Sequence, residues 1–110
     1  MIIHLDWFGC NPRSKWETEI HQTLENLATI KRVSRASVRV EEITEGGPRY
    51  HLTMMLTMPG PDVISHGIGH TFDEALLKLT ATVRQMLTMR AMKLRQHDGA
   101  ARGVKALHRG

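Results

Sequence analysis

An alternating run in the middle of the chain constrains the fold more than any other sequence feature. Every second residue from Tyr50 to Met58 is apolar, and most of the residues between them are polar. This period of two is typical of a strand in an antiparallel sheet with one face on a core and one face in water. The residues predicted to face the core are Tyr50, Leu52, Met54, Leu56 and Met58.

Turn sequences on both sides of this strand predict two hairpins. "EGGP" precedes it and "PGPD" follows it, and both are rich in residues that turns require. The stretch "SVRVEEI" before the first turn and "VISHGIGH" after the second turn complete three consecutive strands. A short apolar run, Ile2–Phe8, ends at "GCNP" and predicts one more strand at the start of the chain.

Two helices accompany these strands, one after the first strand and one after the last, and each begins at a capping-box sequence. Ser14 with Glu17, and Thr71 with Glu74, have the spacing at which side-chain oxygens accept hydrogen bonds from free backbone N–H groups. Apolar residues at helical spacing then predict a first helix to about Ile30. The second helix is predicted to extend to about Arg95, with an apolar stripe made of Phe72, Leu76, Leu79, Val83, Met86 and Leu87.

The order strand, helix, three strands, helix determines the predicted fold class. A right-handed crossover makes the first two strands parallel, and the hairpins make the other neighbours antiparallel. The sheet has one polar face, so both helices must pack their apolar stripes on the other face. We therefore predict an α+β two-layer sandwich, β-α-β-β-β-α, in which a four-stranded mixed sheet carries both helices on one face.

Two histidines four residues apart, His66 and His70, raise the question of a metal site. On a helix both rings would face the same way, but the second helix begins after them, at Thr71. On a strand the two residues lie about 13 Å apart, too far to share one zinc ion. We predict neither a metal site nor a phosphate loop here, and interpret His66 as a hydrogen-bonded core residue. Gly67 and Gly69 are expected to admit a bulge or a close neighbour.

Charge is distributed unevenly along the chain, whose formal net charge is +4. From Lys78 onward Asp98 is the only acidic residue among many Lys and Arg residues. In residues 1–77, acidic residues outnumber Lys and Arg. A basic C-terminal third indicates a polyanionic partner, and nucleic acid rather than a membrane, because the segment is not a strongly apolar amphipath. A solvated helix face followed by a soluble tail explains the same charge, so charge alone leaves both interpretations open.

The 110 residues are enough for one domain. We predict that it spans residues 1–95 and that residues 96–110 form a flexible basic tail. Cys10 is the only cysteine, which excludes an intramolecular disulfide and a cysteine-based zinc cluster; we expect a half-buried structural thiol. No apolar run is long enough to span a membrane and the start lacks a secretory pattern, so we expect a cytoplasmic protein. Scattered histidines and carboxylates form no catalytic pattern, and we predict no enzyme, cofactor or small-molecule substrate.

Over residues 1 to about 95 the chain resembles the ribosome hibernation-promoting factors, also called ribosome-associated translation inhibitors. The resemblance rests on the element order, on "VRVEE" and "GGPRYHLTMMLTMPG", and on "FDEALLKLTATVRQML". Nothing after Arg95 resembles the dimerisation domain of the long members, so the chain is similar to a short member. The resemblance implies a non-enzymatic factor that binds the small ribosomal subunit, where mRNA and tRNA would lie, and silences translation during stasis.

The resemblance also implies which side chains contact rRNA phosphates. They are Lys31, Arg32, Arg35, Arg84, Arg90, Lys93 and Arg95. The chain departs from the family in its acidic first helix, where we expect Glu17, Glu19 and Glu25 to be exposed.

One alternative remains open beside this interpretation. A non-catalytic module of the same fold would bind another protein or RNA through exposed apolar side chains, for which the candidates are Met55, Leu77 and Met92. The sequence leaves self-association open.

Overall fold

Four strands form one mixed sheet in the computed structural model, which describes residues 1–47 and 49–107, with side chains through Met92. The strands are β1 (Ile2–Phe8), β2 (Arg35–Glu42), β3 (Tyr50–Thr57) and β4 (Val63–Gly69), and they lie side by side in that order. β1 and β2 are parallel, and the other neighbours are antiparallel. The helices α1 (Ser14–Ala28) and α2 (Phe72–Leu107) pack on one face. The predicted fold class and strand pairing are confirmed.

The core lies between the sheet and the two helices. All five residues predicted from the alternating run are buried, as are Trp16, Ile20, Leu24 and Leu27 of α1. Each such side chain contributes about 1.5–3 kcal/mol by leaving water. The predicted stripe of α2 is confirmed except at Met86, which is exposed at the edge of the stripe, while Ala75 is buried instead.

α2 lies directly on two glycines of β4. A Cβ atom on Gly67 would clash with the carbonyl oxygen of Ala75 and lie 2.8 Å from Leu79 Cβ. A Cβ atom on Gly69 would lie 2.7 Å from the Ala75 backbone nitrogen. The ladder between β3 and β4 is continuous, without a bulge. Of the two expectations for these glycines, the close neighbour is confirmed and the bulge is wrong: the missing side chains let α2 approach β4.

The start of α1 differs from the prediction by one residue. Arg13 is the N-cap residue, it has an extended backbone, and no side chain caps the helix. Ser14 is already helical, because the Glu17 N–H donates to the Arg13 carbonyl oxygen at 2.9 Å. The Arg13 guanidinium lies 4.4 Å from the centre of the Trp16 ring. The capping box predicted at Ser14 is therefore wrong.

The capping box predicted at the start of α2 is confirmed at its hydroxyl. The Glu74 N–H donates to Thr71 Oγ1 at 3.0 Å, and the helix begins at Phe72. In a capping box the Glu74 carboxylate would accept a hydrogen bond from the Thr71 N–H. Here it accepts one from the N–H of the preceding residue, His70, at 3.4 Å.

Both helices end at positions other than the predicted ones. α1 ends at Ala28 rather than at Ile30, because the Thr29 hydroxyl and N–H both donate to the Asn26 carbonyl oxygen. α2 continues to Leu107, beyond the end predicted near Arg95. Residues 108–110 and the side chains after Met92 lie outside the described residues, so the flexible tail over residues 96–110 stays a prediction.

α2 is longer than the sheet on which it packs. Its 36 residues extend about 54 Å. The strands have seven or eight residues and span about 25 Å. Its later turns therefore extend past the sheet, as the sequence indicated. Within the described residues, no helix combines the length and apolar character that crossing a bilayer requires.

Candidate nucleic-acid interface

The directions of the elements collect several predicted RNA contacts at one end of the domain. α1 ends there, β1 and β2 start there, and β3 turns into β4 there. Two hydrogen bonds join these segments: the Ile2 N–H donates to the Ser34 carbonyl oxygen, and the Ser34 N–H donates to the Thr57 carbonyl oxygen. We call this end, with Lys31, Arg32, Arg35 and Arg90, the basic end.

Three of these cations belong to the connection between α1 and β2. Arg32 is exposed in the loop, Arg35 is exposed as the first residue of β2, and Lys31 is half-buried beside them. None of them has a carboxylate within salt-bridge distance among the side chains that the structure describes. Unpaired guanidinium and ammonium groups are suited to phosphate oxygens, since Arg can donate two parallel hydrogen bonds.

Arg90 has a structural contact that the sequence did not indicate. Its Nη1 donates to the carbonyl oxygen of Pro61 at 2.7 Å, which attaches α2 to the turn between β3 and β4. Arg90 is half-buried at this contact. Arg90 thus holds the basic end together, with its remaining donors available for a partner.

The other predicted contacts lie along α2. Arg84 is exposed and precedes Arg90 by six residues, about 9 Å along the helix, so it lies away from the loop cations. The backbone of Lys93 and Arg95 continues the helix beyond Arg90, while their side chains lie outside the described residues. The structure therefore places Lys31, Arg32, Arg35 and Arg90 at one end of the domain, and places Arg84, Lys93 and Arg95 at other positions along α2.

The opposite end of the domain is acidic. It contains the ends of β1, β2 and β4 and the starts of both helices, with Glu17, Glu19, Glu41, Glu42, Glu45, Asp73 and Glu74. Two of the bases at this end are paired: Lys78 Nζ lies 3.0 Å from Glu74 Oε1, and Arg49 Nε lies 3.6 Å from Glu42 Oε2. The hydrogen bond from Lys78 lowers the pKa of Glu74. The domain thus has opposite charge at its two ends.

Glu17 and Glu19 are not exposed as expected but half-buried, whereas Glu25 is exposed. Glu19 lies on α1 near Asp73 of α2. Its Oε2 has no hydrogen-bond partner within the described part of the chain. Burial is the main cause that raises the pKa of Glu19, and the hydrogen bond and charge of Asp73 raise it further. Each of these influences disfavours the charged form of Glu19 in the folded protein, so ionisation of this side chain destabilises the fold.

We expect Glu19→Gln to raise the thermal unfolding midpoint at pH 7.5. A raised folded-state pKa contributes stability that is fully present below the unfolded pKa of about 4.3 and is lost as pH rises through the folded value. Near pH 4 Glu19 in the folded protein is protonated and uncharged, like the Gln of the variant. The difference in midpoint between Glu19→Gln and the unchanged chain should therefore shrink towards zero there. Glu25→Gln, an exposed position on the same helix, is the control and should show no such dependence. An equal gain at both pH values would contradict this assignment.

The open face of the sheet, which no helix covers, carries features that the sequence did not predict. The Arg39 guanidinium lies 3.9 Å from the centre of the Phe8 ring. His66 is exposed on this face, so the prediction of a core residue is wrong. The reason is the phase of β4, whose glycines face α2 and whose isoleucines Ile64 and Ile68 face outward. The register of β1 and β2 pairs Phe8 with Glu41, which places Phe8 diagonally next to Arg39. This contact could therefore have been predicted once the register was known.

Two further expectations concern metal and thiol chemistry. His70 lies just beyond β4, and among the described residues no three His, Cys, Asp or Glu side chains form a group that could hold a metal ion. Cys10 is half-buried as expected, with Sγ 4.0 Å from the Val40 carbonyl oxygen. Burial, followed by the charge of Glu42, raises the pKa of its thiol.

Of the apolar candidates for partner contact, Leu77 and Met92 are 71% and 49% exposed on α2. Met55 is half-buried on the open face.

Comparison with known proteins identifies this architecture. No protein-family model matches the chain, and no curated protein sequence matches it. The N-terminal domain of Protein Y from Thermus thermophilus matches in structure with a TM-score of 0.69 at 12% identity, covering 81% of this chain and 98% of that one. A ribosomal subunit interface protein from Coxiella burnetii matches with a TM-score of 0.56 at 13% identity, covering 87% and 99%. The fold is thus shared with these proteins, in agreement with the resemblance found in the sequence.

Proposed function

We propose that the chain binds the small ribosomal subunit through rRNA phosphates and silences translation during stasis, without catalysis. The observation that carries the proposal is the basic end, where Lys31, Arg32 and Arg35 have no acidic partner among the described side chains. The shared fold supports it, because one of the proteins with this fold is described as a ribosomal subunit interface protein. A ribosomal partner also implies a cytoplasmic protein.

Phosphate contacts suit a protein that occupies a site rather than one that reads a sequence. Lys and Arg side chains fix the position and orientation of a protein on nucleic acid without base recognition. Three cations in one loop and a helix that extends past the sheet present two separate groups of such contacts. A domain held in this way blocks the path of mRNA and tRNA by its volume alone, so no reaction is required.

The predicted contacts then have different roles. Lys31, Arg32 and Arg35 contact phosphates at the loop. Arg84 contacts phosphates on α2, six residues before Arg90. Arg90 holds the turn against the helix through the Pro61 carbonyl oxygen and orients both groups. Lys93 and Arg95, on the part of α2 beyond Arg90, add further phosphate contacts there.

Co-sedimentation with purified small ribosomal subunits over a salt series tests the proposal. We expect binding at low salt, and the logarithm of the binding constant should fall against the logarithm of the salt concentration with a slope of about −0.7 to −0.9 for each phosphate contact. Binding should also reduce protein synthesis in a cell-free system in proportion to the fraction of subunits occupied. Absence of binding at every salt concentration would contradict the proposal and favour the alternative module that binds another protein or RNA through Leu77 and Met92.

A further inference from the structure

Two histidines of the open face come into contact across β3 and β4. His51 Nε2 lies 3.2 Å from His66 Nδ1, and the ring centres are 5.3 Å apart. The strand register pairs Thr53 with His66 and so places His51 diagonally next to His66. Diagonal neighbours on adjacent strands are within reach of such side chains. The pair lies near the acidic end, away from the cations of the proposed ribosome contact.

The surroundings of His51 orient its ring nitrogens. β2 and β3 pair Glu41 with His51, and the Glu41 carboxylate oxygen Oε1 lies 4.0 Å from His51 Nδ1. A carboxylate on that side favours a proton on Nδ1. A neutral imidazole has one N–H and one lone pair, so the lone pair of His51 is then on Nε2, directed at His66.

We infer that His51 and His66 bind a divalent transition metal ion of the zinc and nickel class. Two nitrogens at 2.0–2.1 Å from one tetrahedral ion are about 3.3 Å apart, close to the 3.2 Å between these two. Glu41 would accept the His51 N–H that does not face the ion, which is the usual partner of a metal-bound histidine. Imidazole nitrogen selects zinc, nickel or copper over calcium and magnesium, which prefer oxygen ligands.

The site has two protein ligands, and its other positions are open. His66 is exposed, and the described part of the chain brings no third His, Cys, Asp or Glu into range. Solvent therefore completes the coordination. Thr53 Oγ1 lies 3.1 Å from the same His66 Nδ1. This hydrogen bond has to break when the ion binds, so affinity is lower than for a site with three or four protein ligands.

Calorimetric titration of the full chain with Zn²⁺, repeated with Ni²⁺, tests the inference. We expect one ion per chain, and we expect His51→Gln or His66→Gln to weaken binding at least tenfold. His21→Gln is the matched control, because His21 is an exposed histidine on α1. It should bind as the unchanged chain does. Glu41→Gln should weaken binding about tenfold, as expected for a residue that orients a ligand.

Histidine resonances in NMR spectra give a second measurement that does not depend on affinity. Zn²⁺ should shift the ring signals of His51 and His66 and leave those of His21 unchanged. Equal titrations of all three histidine variants, shifts of other histidines only, or no binding to the unchanged chain would each overturn the inference. None of these outcomes bears on the ribosome experiment, because the histidine pair lies outside the basic end.

Discussion

Gly67→Ala is expected to lower the thermal unfolding midpoint by more than about 10 °C. The added Cβ would meet the Ala75 carbonyl oxygen and lie 2.8 Å from both the Leu79 Cβ and the Leu79 backbone nitrogen. Two of these atoms are backbone and cannot rotate away, so α2 has to move off β4. Overpacking of this kind costs about 1–3 kcal/mol and sometimes more. In a domain of this size each kcal/mol lowers the midpoint by about 4–8 °C.

The sign of this prediction opposes the usual effect of the substitution. Replacing glycine by alanine at an unstrained position stabilises by about 0.4–1 kcal/mol, because the unfolded chain loses freedom. Ile68→Ala is the matched control, since Ile68 adjoins Gly67 and faces the open side of β4. It should change stability by no more than about 0.5 kcal/mol. A Gly67→Ala midpoint equal to that of the unchanged chain would show that α2 does not lie this close to β4.

The second large effect is expected from the loop of the basic end. Replacing Lys31, Arg32 and Arg35 together by Ala should weaken binding to small ribosomal subunits and flatten its salt dependence. Three phosphate contacts correspond to a change of about 2–3 in the logarithmic slope. The fold should be retained, because none of the three side chains belongs to the buried core.

A triple variant at the other end removes the same amount of charge. Lys15→Ala, Arg49→Ala and Lys78→Ala reduce the net charge equally, but Lys15 lies at the start of α1 and the other two are paired with acids, all at the acidic end. If the two triple variants lose affinity to the same extent, net charge rather than the basic end determines binding, and the assigned site is wrong.

A separate triple variant tests the contacts along α2. Arg84→Ala, Lys93→Ala and Arg95→Ala should produce a loss of similar size, again with a flatter salt dependence. Arg90 is left unchanged because its bond to Pro61 is structural. An unchanged slope would restrict the interface to the loop.

The strands and helices were predictable where a local pattern has only one interpretation. The alternation from Tyr50 to Met58 is present in the sequence itself, and every residue assigned to the core by it is buried. The hydroxyl of Thr71 likewise caps α2 where the spacing to Glu74 predicts it. From these two features and the handedness of the crossover, the layer arrangement follows.

The errors arose where tertiary packing selects between local alternatives. "VISHGIGH" has apolar residues at both phases, and the close approach of α2 puts the glycine phase inside, so His66 is outside. The sequence separated His66 from His70 correctly but gave no indication that the strand register places His66 beside His51. The bond from Arg90 to Pro61 depends on where α2 crosses the turn, which no local pattern records.

The separation of charge between the two ends also gives the domain an electric dipole along the length of the sheet. Near a polyanion such a body experiences a torque, which turns the cationic end forward before any contact forms. At physiological ionic strength the field is screened beyond about 8 Å, so this reorientation is confined to the last step of the approach. Charges that act in this way mainly increase the rate of association. In the proposed complex the acidic end would face away from the nucleic acid, and the histidine pair of the open sheet face would lie near the solvent side.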